Sequence, residues 1–447
     1  MNAKSWLLRN AALPLGDALF RHGMMSRLKF LEKAQWWSPE EIARHRAHSL
    51  ASLARTAYDE VPFYHELMDS AGVKPEDIRR PEDLRRLPAV TKNMIRDNYP
   101  KRMVRNTGLK TYEAKTSGST GKNFAVLEDS DTAGRYRAAF MLSLEWAGYR
   151  IGDEHVQNGM SSRNLIRRAK DWALACHYIS AFDTSDRHLD ETLDLLESRK
   201  IKHLWGYPAG IYLLSRRAKQ RGWNMPLRSV VTWGDNLYAI YRQGIEEVFR
   251  TRVTDTYGCG EGIQVAAQCG EGSHYHVHAI DVIVEYVDDV GAPVPAGQTG
   301  HILLTRLHPG PMPLIRYSVG DNGSRSTLPK CPCGRHWELL ESIQGRDTDV
   351  VMTPDGNRLI VHFFTGILEY FDEIDSFQVV QKQLDSMHVR IVMARGHEFT
   401  QDLEKRIVRA LVDKGARGMR IHIEPVADIP LTAAGKRRFV MSEVALR

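Results

Sequence analysis

The chain reads Thr116-Ser117-Gly118-Ser119-Thr120-Gly121-Lys122 at a strand-to-loop transition. The two glycines let the backbone curl without a Cβ clash, so that successive N–H groups can point into one concavity. Hydroxyl groups and one ammonium add donors that suit oxygens carrying negative charge. This combination predicts a polyphosphate-binding loop, and a Ser/Gly surface turn is the alternative interpretation.

The spacing of this loop differs from that of the common nucleotide-binding loop. That loop has four residues between its first glycine and a Gly-Lys-Ser/Thr ending that opens a helix. Here Lys122 leads into residues 123–127, which have the pattern of an extended segment. The functional interpretation therefore depends on other parts of the chain.

The composition is that of an ordinary globular protein. The 447 residues are 43% hydrophobic and 26% charged, and the net charge of +6 is modest for this length. No apolar run reaches the length that crosses a bilayer, and the N-terminal residues lack the features of a signal peptide. The five cysteines form no even framework, which favours a reducing compartment. We expect a cytoplasmic protein with no transmembrane segment and no nucleic-acid partner.

The hydrophobic pattern changes along the chain. Residues 1 to about 105 show helical spacing, and from 112 to about 260 short β-type runs alternate with helical runs. That alternation is typical of a parallel sheet with crossover helices. Residues 281–307 show the pattern of an antiparallel hairpin.

After residues 345–346 the pattern resets into a small α+β unit of about one hundred residues. It contains predicted strands at 377–380, 389–392 and 421–423 and an amphipathic helix at 401–413. We therefore expect an α/β fold with two domains. The large N-terminal domain, residues 1–345, has mixed sheets and helices, and the small C-terminal domain, residues 346–447, is α+β and mobile.

Three further segments carry polar residues at predicted turns. Residues 257–261 offer the ring of Tyr257, which can stack on a purine, and the carboxylate of Glu261, which can hold Mg²⁺. Asp321 lies at a turn and suits the paired hydroxyls of a ribose. Lys436 lies on a glycine-bearing loop near the end of the chain. Each segment alone is a weak indication.

Taken in chain order, these motifs resemble those of the adenylate-forming superfamily, and specifically its phenylacetate-CoA ligase-like branch, which includes capsular-polysaccharide-locus proteins. The resemblance covers nearly the whole chain. It rests on seven collinear segments, namely residues 116–122, Gly234-Asp235, 257–261, 316–321, 331–335, 343–346 and Gly435-Lys436.

The resemblance implies that ATP and a small-molecule carboxylate form an acyl-adenylate and pyrophosphate. The acyl group then passes to a thiol, usually that of coenzyme A. By the same resemblance, Lys436 bridges the carboxylate and the α-phosphate, Glu261 positions Mg²⁺, and the loop at 116–122 holds the β- and γ-phosphates. The positive charge and in-line geometry are needed because two anions must meet.

The resemblance also implies how the nucleoside part of ATP is held. Asp321 and Arg346 grip the ribose, Tyr257 lies against adenine, and Gly234 and Asp235 belong to the same nucleotide site. The small domain is expected to swing about residues 345–349, exchanging Lys436 for a thiol channel.

The chain departs from the family pattern at two places. The superfamily usually has Thr before the metal-binding Glu, whereas this chain has Gly260, which removes one hydroxyl donor to the α-phosphate. Residues 347–356 replace a basic, glycine-rich run that many relatives carry. The identity of the substrate carboxylate stays open. The acceptor also stays open, with coenzyme A, a carrier-protein thiol and a sugar as the alternatives. The alternative function is that of a nucleotide-binding scaffold in exopolysaccharide assembly. The oligomeric state is also open, and a homodimer is one of the alternatives.

Cysteines and histidines late in the chain form a second set of candidates, made up of Cys269, His274, His276, His278, Cys331 and Cys333. Thiolates with imidazole suit a structural Zn²⁺, although the Cys-x-Cys spacing is tighter than usual. Reduced surface thiols beside a solvated histidine strand are the alternative. Period-two alternation places all three histidines on one strand face, so spacing cannot separate them. The family resemblance favours His276, which predicts a site of Cys269, His276, Cys331 and Cys333.

Overall fold

The computed structural model describes residues 6–20, 23–116, 124–161, 163–344, 350–359, 361–368, 370–429 and 439–444. Helical residues dominate the N-terminal part, as the sequence predicts. The α-helices are α1 Leu13–Phe20, α2 Met24–Ala34, α3 Pro39–Glu60, α4 Pro62–Ser70, α5 Lys92–Asn98, α6 Ser130–Trp146, α7 Leu165–Ala173, α8 Asp186–Ser198, α9 Pro208–Gln220, α10 Ala239–Phe249, α11 Val361–Leu368 and α12 Gln401–Lys414. A π-helical turn at Leu8–Ala12 and 3-10 turns at Pro75–Asp77 and Pro81–Arg86 accompany them.

The strands concentrate after residue 110. They are β1 Thr111–Thr116, β2 Phe124–Asp129, β3 His155–Gly159, β4 Cys176–Ser180, β5 His203–Gly206, β6 Ser229–Thr232, β7 Val253–Cys259, β8 Ile263–Gln268, β9 Tyr275–Val277, β10 Val282–Val287, β11 Thr299–Arg306, β12 Tyr317–Arg325, β13 Leu339–Gln344, β14 Val351–Met352, β15 Arg358–Leu359, β16 Ile374–Gln383, β17 Ser386–Met393, β18 Arg420–Pro425 and β19 Val440–Ser442.

The chain divides into two compact units, each built from separate stretches of sequence. Of the described residues, the first unit contains those within Met1–Thr116, Phe124–Gly152 and Thr254–Gly345. The second contains those within Asp153–Val253 and Arg346–Arg447. The sequence-based division at 345–346, with a mobile second domain, stays a prediction.

The first unit is built on an antiparallel sheet with strand order β10-β11-β12-β13-β9-β8-β7. Pairing of β10 with β11 confirms the hairpin predicted for residues 281–307. The apolar side chains of this sheet and of α3 and α4 form one core, in which Leu53, Tyr64, Leu304 and Tyr317 are at most 1% exposed. The core thus fixes β7, β8 and β12, the strands that carry the candidate active-site residues.

The β1 and β2 strands differ from the parallel arrangement predicted for residues 112 to 260. They pair antiparallel, with Thr111 opposite Asp129 and Thr116 opposite Phe124. Only seven residues separate the two strands in the sequence, whereas a parallel connection needs a crossover of about a dozen or more residues. The short connection therefore dictates a hairpin.

The second unit contains the predicted parallel sheet, with strand order β6-β5-β3-β4. It also contains a four-stranded sheet of order β18-β17-β16-β19, covered by α11 and α12. The strands and helix predicted between residues 377 and 423 are confirmed. Phe182 packs into the same apolar cluster as Phe363 and Phe364, so the C-terminal sheet and the segment after β4 share one core.

Candidate active site and metal centre

The turn between β7 and β8 positions the predicted metal-binding carboxylate. Antiparallel pairing of the two strands closes the chain over residues 260–262, and Glu261 is only 3% exposed. Gly262 takes a φ of +71°, a region that favours glycine, and a Cβ there would lie 2.6 Å from Oε1 of Glu128. The backbone of the turn therefore favours glycine at this position, and a Cβ would also have to displace the end of the Glu128 side chain.

A buried tyrosine holds the side chain of Glu261. The Tyr317 hydroxyl, at the start of β12, donates to Oε1 of Glu261, and Nη1 of Arg306 donates to the Glu261 carbonyl at 3.2 Å. Burial, together with the nearby carboxylate, raises the pKa of Tyr317 well above its ordinary value. Tyr317 therefore keeps its proton and orients the carboxylate without neutralising it. A carboxylate oriented in this way is a suitable ligand for Mg²⁺.

A second tyrosine and carboxylate pair lies on the same two strands. The Tyr257 hydroxyl, on β7, donates to Oδ2 of Asp321, on β12, at 2.9 Å. Burial and the Asp321 carboxylate raise the pKa of Tyr257 well above its ordinary value, so Tyr257 acts as the donor. The structure thus brings together Tyr257 and Asp321, the residues predicted to hold adenine and ribose, and places the carboxylate of Glu261 near the same tyrosine.

Beside this turn lies a small, partly open cavity. Its lining includes Tyr136, Ala139, Gly262, Gln264, Arg306 and His308. Arg306 is 4% exposed and also donates to the carbonyls of His308 at 3.1 Å and Met312 at 2.6 Å. Burial raises the pKa of Glu128, whose carboxylate lies close to the same guanidinium. The cavity therefore shares its wall with the Glu261 turn.

The four predicted zinc ligands lie together in the first unit. Their ligand atoms are all within 4.8 Å of one another. Sγ of Cys269 lies 3.7 Å from Sγ of Cys331, and Sγ of Cys333 lies 3.4 Å from Nε2 of His276. Tetrahedral zinc, with bonds of about 2.3 Å to sulfur and about 2.0 Å to nitrogen, places such pairs about 3.8 and about 3.5 Å apart. The arrangement fits zinc, while zinc binding itself stays a prediction.

Protonation states at this cluster also fit a metal ligand set. Burial lowers the pKa of His276 to about 3, which leaves the neutral imidazole that metals bind. Burial raises the pKa of the Cys331 thiol to about 12, so a thiolate at this position requires a nearby cation.

The structure separates the three histidines that strand alternation could not. His276 lies on β9 and reaches the cysteines. His278 follows β9, stacks on Trp146 with a centroid distance of 5.4 Å, and places Nε2 3.0 Å from Oγ of Ser143. His274 is half-buried and outside the cluster.

Aromatic rings and an arginine hold the Cys-x-Cys turn. The Arg335 guanidinium lies 4.7 Å from the ring centroids of both Trp36 and Trp146. Nε of Arg335 and Nε1 of Trp146 both donate to Oε1 of Gln35, at 2.9 and 2.8 Å. These contacts connect the turn to α2 and α6. Sequence reasoning included Arg335 in a motif but missed Trp36, Trp146 and Gln35, because ordinary apolar spacing carries no signal for them.

Several predicted site residues cannot be placed in the site. Lys436, Arg346 and the loop residues Ser117, Gly118, Ser119, Thr120, Gly121 and Lys122 lie outside the described residues, and Thr116 is described only as the end of β1. Gly234, with a φ of +78°, and Asp235 follow β6 in the second unit. Oδ1 of Asp235 accepts from the backbone N–H of Asn236 at 2.8 Å.

Sequence reasoning also missed three residues around Glu261. Tyr317 lies within the segment at 316–321 but received no role, and Glu128 and Arg306 were not considered. Arg306 ends β11, where a charged residue after a buried strand is a weak signal. Glu128 carries no sequence signal, because its position is set by the approach of β2 to Gly262.

Comparisons with known proteins agree with the predicted fold and family resemblance. Residues 351–443 match the family model described as the CapK C-terminal domain. The chain is 25% identical to the phenylacetate-coenzyme A ligase of Thermus thermophilus over 436 residues, covering 90% of this chain and 96% of that protein. It is 26% identical to the Escherichia coli phenylacetate-coenzyme A ligase over 393 residues, covering 82% and 83%. Protein CapK of Staphylococcus aureus is 22% identical over 424 residues, covering 91% and 92%.

The fold also matches solved structures of a 2-hydroxyisobutyryl-CoA ligase. One of these, in complex with 2-HIB-AMP and CoA, has a TM-score of 0.59 at 19% identity, with 91% of each chain covered. Among the described residues, no helix combines the length and the apolar character needed to span a bilayer. These comparisons support placing the chain with the AMP-forming ligases of the adenylate-forming superfamily, in the branch that is similar to phenylacetate-CoA ligases and to CapK.

Proposed function

We propose that the protein activates a small carboxylic acid with ATP to form an acyl-adenylate and then transfers the acyl group to the thiol of coenzyme A. Support comes from relatives that bear the name phenylacetate-coenzyme A ligase and align over most of their length. The identity of the carboxylic acid is the open part of this assignment, because the contacts of the described site residues do not identify an acyl group.

The observation that carries the proposal is the pair of tyrosine–carboxylate contacts at the β7–β8 turn and β12. Asp321 keeps part of its carboxylate available beyond the Tyr257 hydrogen bond, which suits ribose hydroxyls. The Glu261 carboxylate is oriented by Tyr317 and would hold Mg²⁺, which would neutralise charge on the phosphate oxygens. Two carboxylates with different neighbours thus serve two parts of one nucleotide.

The chemistry requires a cation where the substrate carboxylate meets the α-phosphate, because both groups are anions. We assign that role to Lys436 and the grip on the β- and γ-phosphates to the loop at 116–122. Arg346 is the second ribose partner in this scheme. When bound, Mg²⁺ supplies charge neutralisation on the phosphate oxygens.

Gly260 favours a second candidate function, a nucleotide-binding scaffold in polysaccharide assembly. A glycine offers no side-chain hydroxyl to the α-phosphate at the position where the family usually has threonine. Loss of one such preorganised donor lowers a rate by roughly 10² to 10³ in other enzymes. A chain that binds ATP but does not adenylate any acid would have this second function.

Pyrophosphate release tests the proposal. Full-length protein is incubated with ATP, Mg²⁺ and a panel of aliphatic and aromatic carboxylic acids, and active acids are then tested with coenzyme A. Lys436→Ala is expected to lower adenylate formation by about two orders of magnitude. Thioester formation from supplied acyl-adenylate should survive, because the small domain moves Lys436 away for that step.

Lys405→Ala, at an exposed position on α12, is the matched control and should behave as the unmodified protein. ATP binding without pyrophosphate release from any acid would refute the ligase assignment and favour the scaffold. Equal loss of both half-reactions in Lys436→Ala would contradict the domain movement.

A further inference from the structure

One short helix of the second unit presents its apolar side chains to solvent. Leu165, Ile166 and Trp172, all on α7, are 82%, 80% and 79% exposed. At about 100° per residue these three lie within an arc of roughly 120°, which also contains Ala169 and Ala173. The described residues of the second unit therefore include an apolar stripe that no core covers.

Other amphipathic helices of this unit behave in the opposite way. The apolar arc of α8 is buried, with Leu189, Leu193 and Leu196 at most 6% exposed. The α12 helix likewise buries Leu403 and Ile407. The orientation of α7 is thus not a general consequence of its place on the surface.

Contacts on the polar side of α7 explain its orientation. Asp171, which lies opposite the middle of the apolar arc, pairs with Nε of Arg163 at 2.8 Å. The Arg163 guanidinium lies 3.4 Å from the ring centroid of Tyr178, on β4. The Tyr178 hydroxyl accepts from the backbone N–H of Ser161 at 2.7 Å. The polar side is therefore attached to β4, and the apolar arc is held outward.

The charged residues of α7 itself are mostly basic. Arg167, Arg168 and Lys170 are exposed on the same helix, and its single acidic residue, Asp171, is paired with Arg163. Exposed apolar and aromatic side chains bordered by arginine and lysine are the pattern of helices that lie in the interface of a bilayer. Cationic side chains are attracted to the anionic head groups of phospholipids.

We propose that α7 docks the protein peripherally on a membrane surface containing anionic phospholipids. Leu165, Ile166 and Trp172 enter the head-group region, and the basic residues contact lipid phosphates. This inference is independent of the proposed ligase function, because none of these residues belongs to the candidate active site.

Vesicle co-sedimentation of the full-length protein tests the proposal. We expect binding to vesicles of equal parts phosphatidylglycerol and phosphatidylcholine, weak binding to pure phosphatidylcholine, and release at high salt. The triple change Leu165→Ser, Ile166→Ser and Trp172→Ser should abolish binding. Arg168→Gln should weaken binding roughly fivefold, the effect of one surface charge near an anionic membrane.

Two controls keep the test specific. Val290→Ser removes an apolar side chain that is 88% exposed in the first unit and should bind as the unmodified protein does. The change Trp6→Ser with Leu7→Ser removes exposed apolar residues near the N-terminus and should also retain binding. An unchanged melting temperature of the α7 triple variant shows that it remains folded.

Four results would overturn the proposal. They are no sedimentation with anionic vesicles, full binding by the folded triple variant, and loss of binding only in the N-terminal variant. The fourth is a change of oligomeric state in the triple variant without vesicles, which would assign the stripe to contact between copies of this chain.

Discussion

Replacing Asp321 by Asn removes the negative charge expected to hold the ribose while keeping the size of the side chain. The amide oxygen of Asn can still accept the hydrogen bond that the Tyr257 hydroxyl makes at 2.9 Å. The local packing should therefore survive, and the loss should fall on the bound nucleotide. A hydrogen bond to a charged group contributes about 1.5–3 kcal/mol, so Kd for ATP should rise roughly 10- to 150-fold.

Isothermal titration of the full-length protein with Mg²⁺ and ATP measures this change directly. Asp289→Asn is the matched control, because this aspartate is 95% exposed and pairs with His301 on the surface. Tyr257→Phe should have a smaller effect than Asp321→Asn, since the carboxylate keeps its charge. An unchanged Kd in folded Asp321→Asn would refute the assignment of Asp321 to the ribose.

Three further predictions concern the metal and stability. Elemental analysis should find about one zinc per chain. Cys331→Ser should remove this zinc, whereas Cys176→Ser, which lies outside the cluster, should retain it. Equal zinc contents in the two variants would contradict the proposed site. Gly262→Ala should lower the free energy of unfolding, measured by urea denaturation, by about 1–3 kcal/mol, because φ at this position is +71°. An unchanged free energy of unfolding would contradict this expectation. Burial lowers the pKa of His155 from 6.5 to about 4, so the unfolded chain binds the extra proton between these values. Stability should fall as pH drops through this window, and His155→Phe should make the pH dependence of the unfolding free energy less steep.

Local pattern was sufficient to predict much of the fold. The period-two alternation that gives β10, β11, β16 and β17, and the apolar spacing of α12, depend on neighbours in the sequence. The zinc residues and the Tyr257, Glu261 and Asp321 set could be proposed because their motifs follow one another along the chain in the family order. The type of each residue and the spacing between residues were sufficient for these predictions of secondary structure and motifs.

The sequence alone therefore predicted many of the strands and helices and the family resemblance, and it proposed the candidate residues. Tertiary structure decided that His276 rather than His278 reaches cysteines more than fifty positions away, and that Tyr317 orients Glu261. It also decided that α7 turns its apolar arc outward, whereas α8, with a comparable pattern, turns it inward. The physical reason is that periodicity specifies which side chains share a face, while long-range contacts, such as that of Arg163 with Tyr178, specify where the face points.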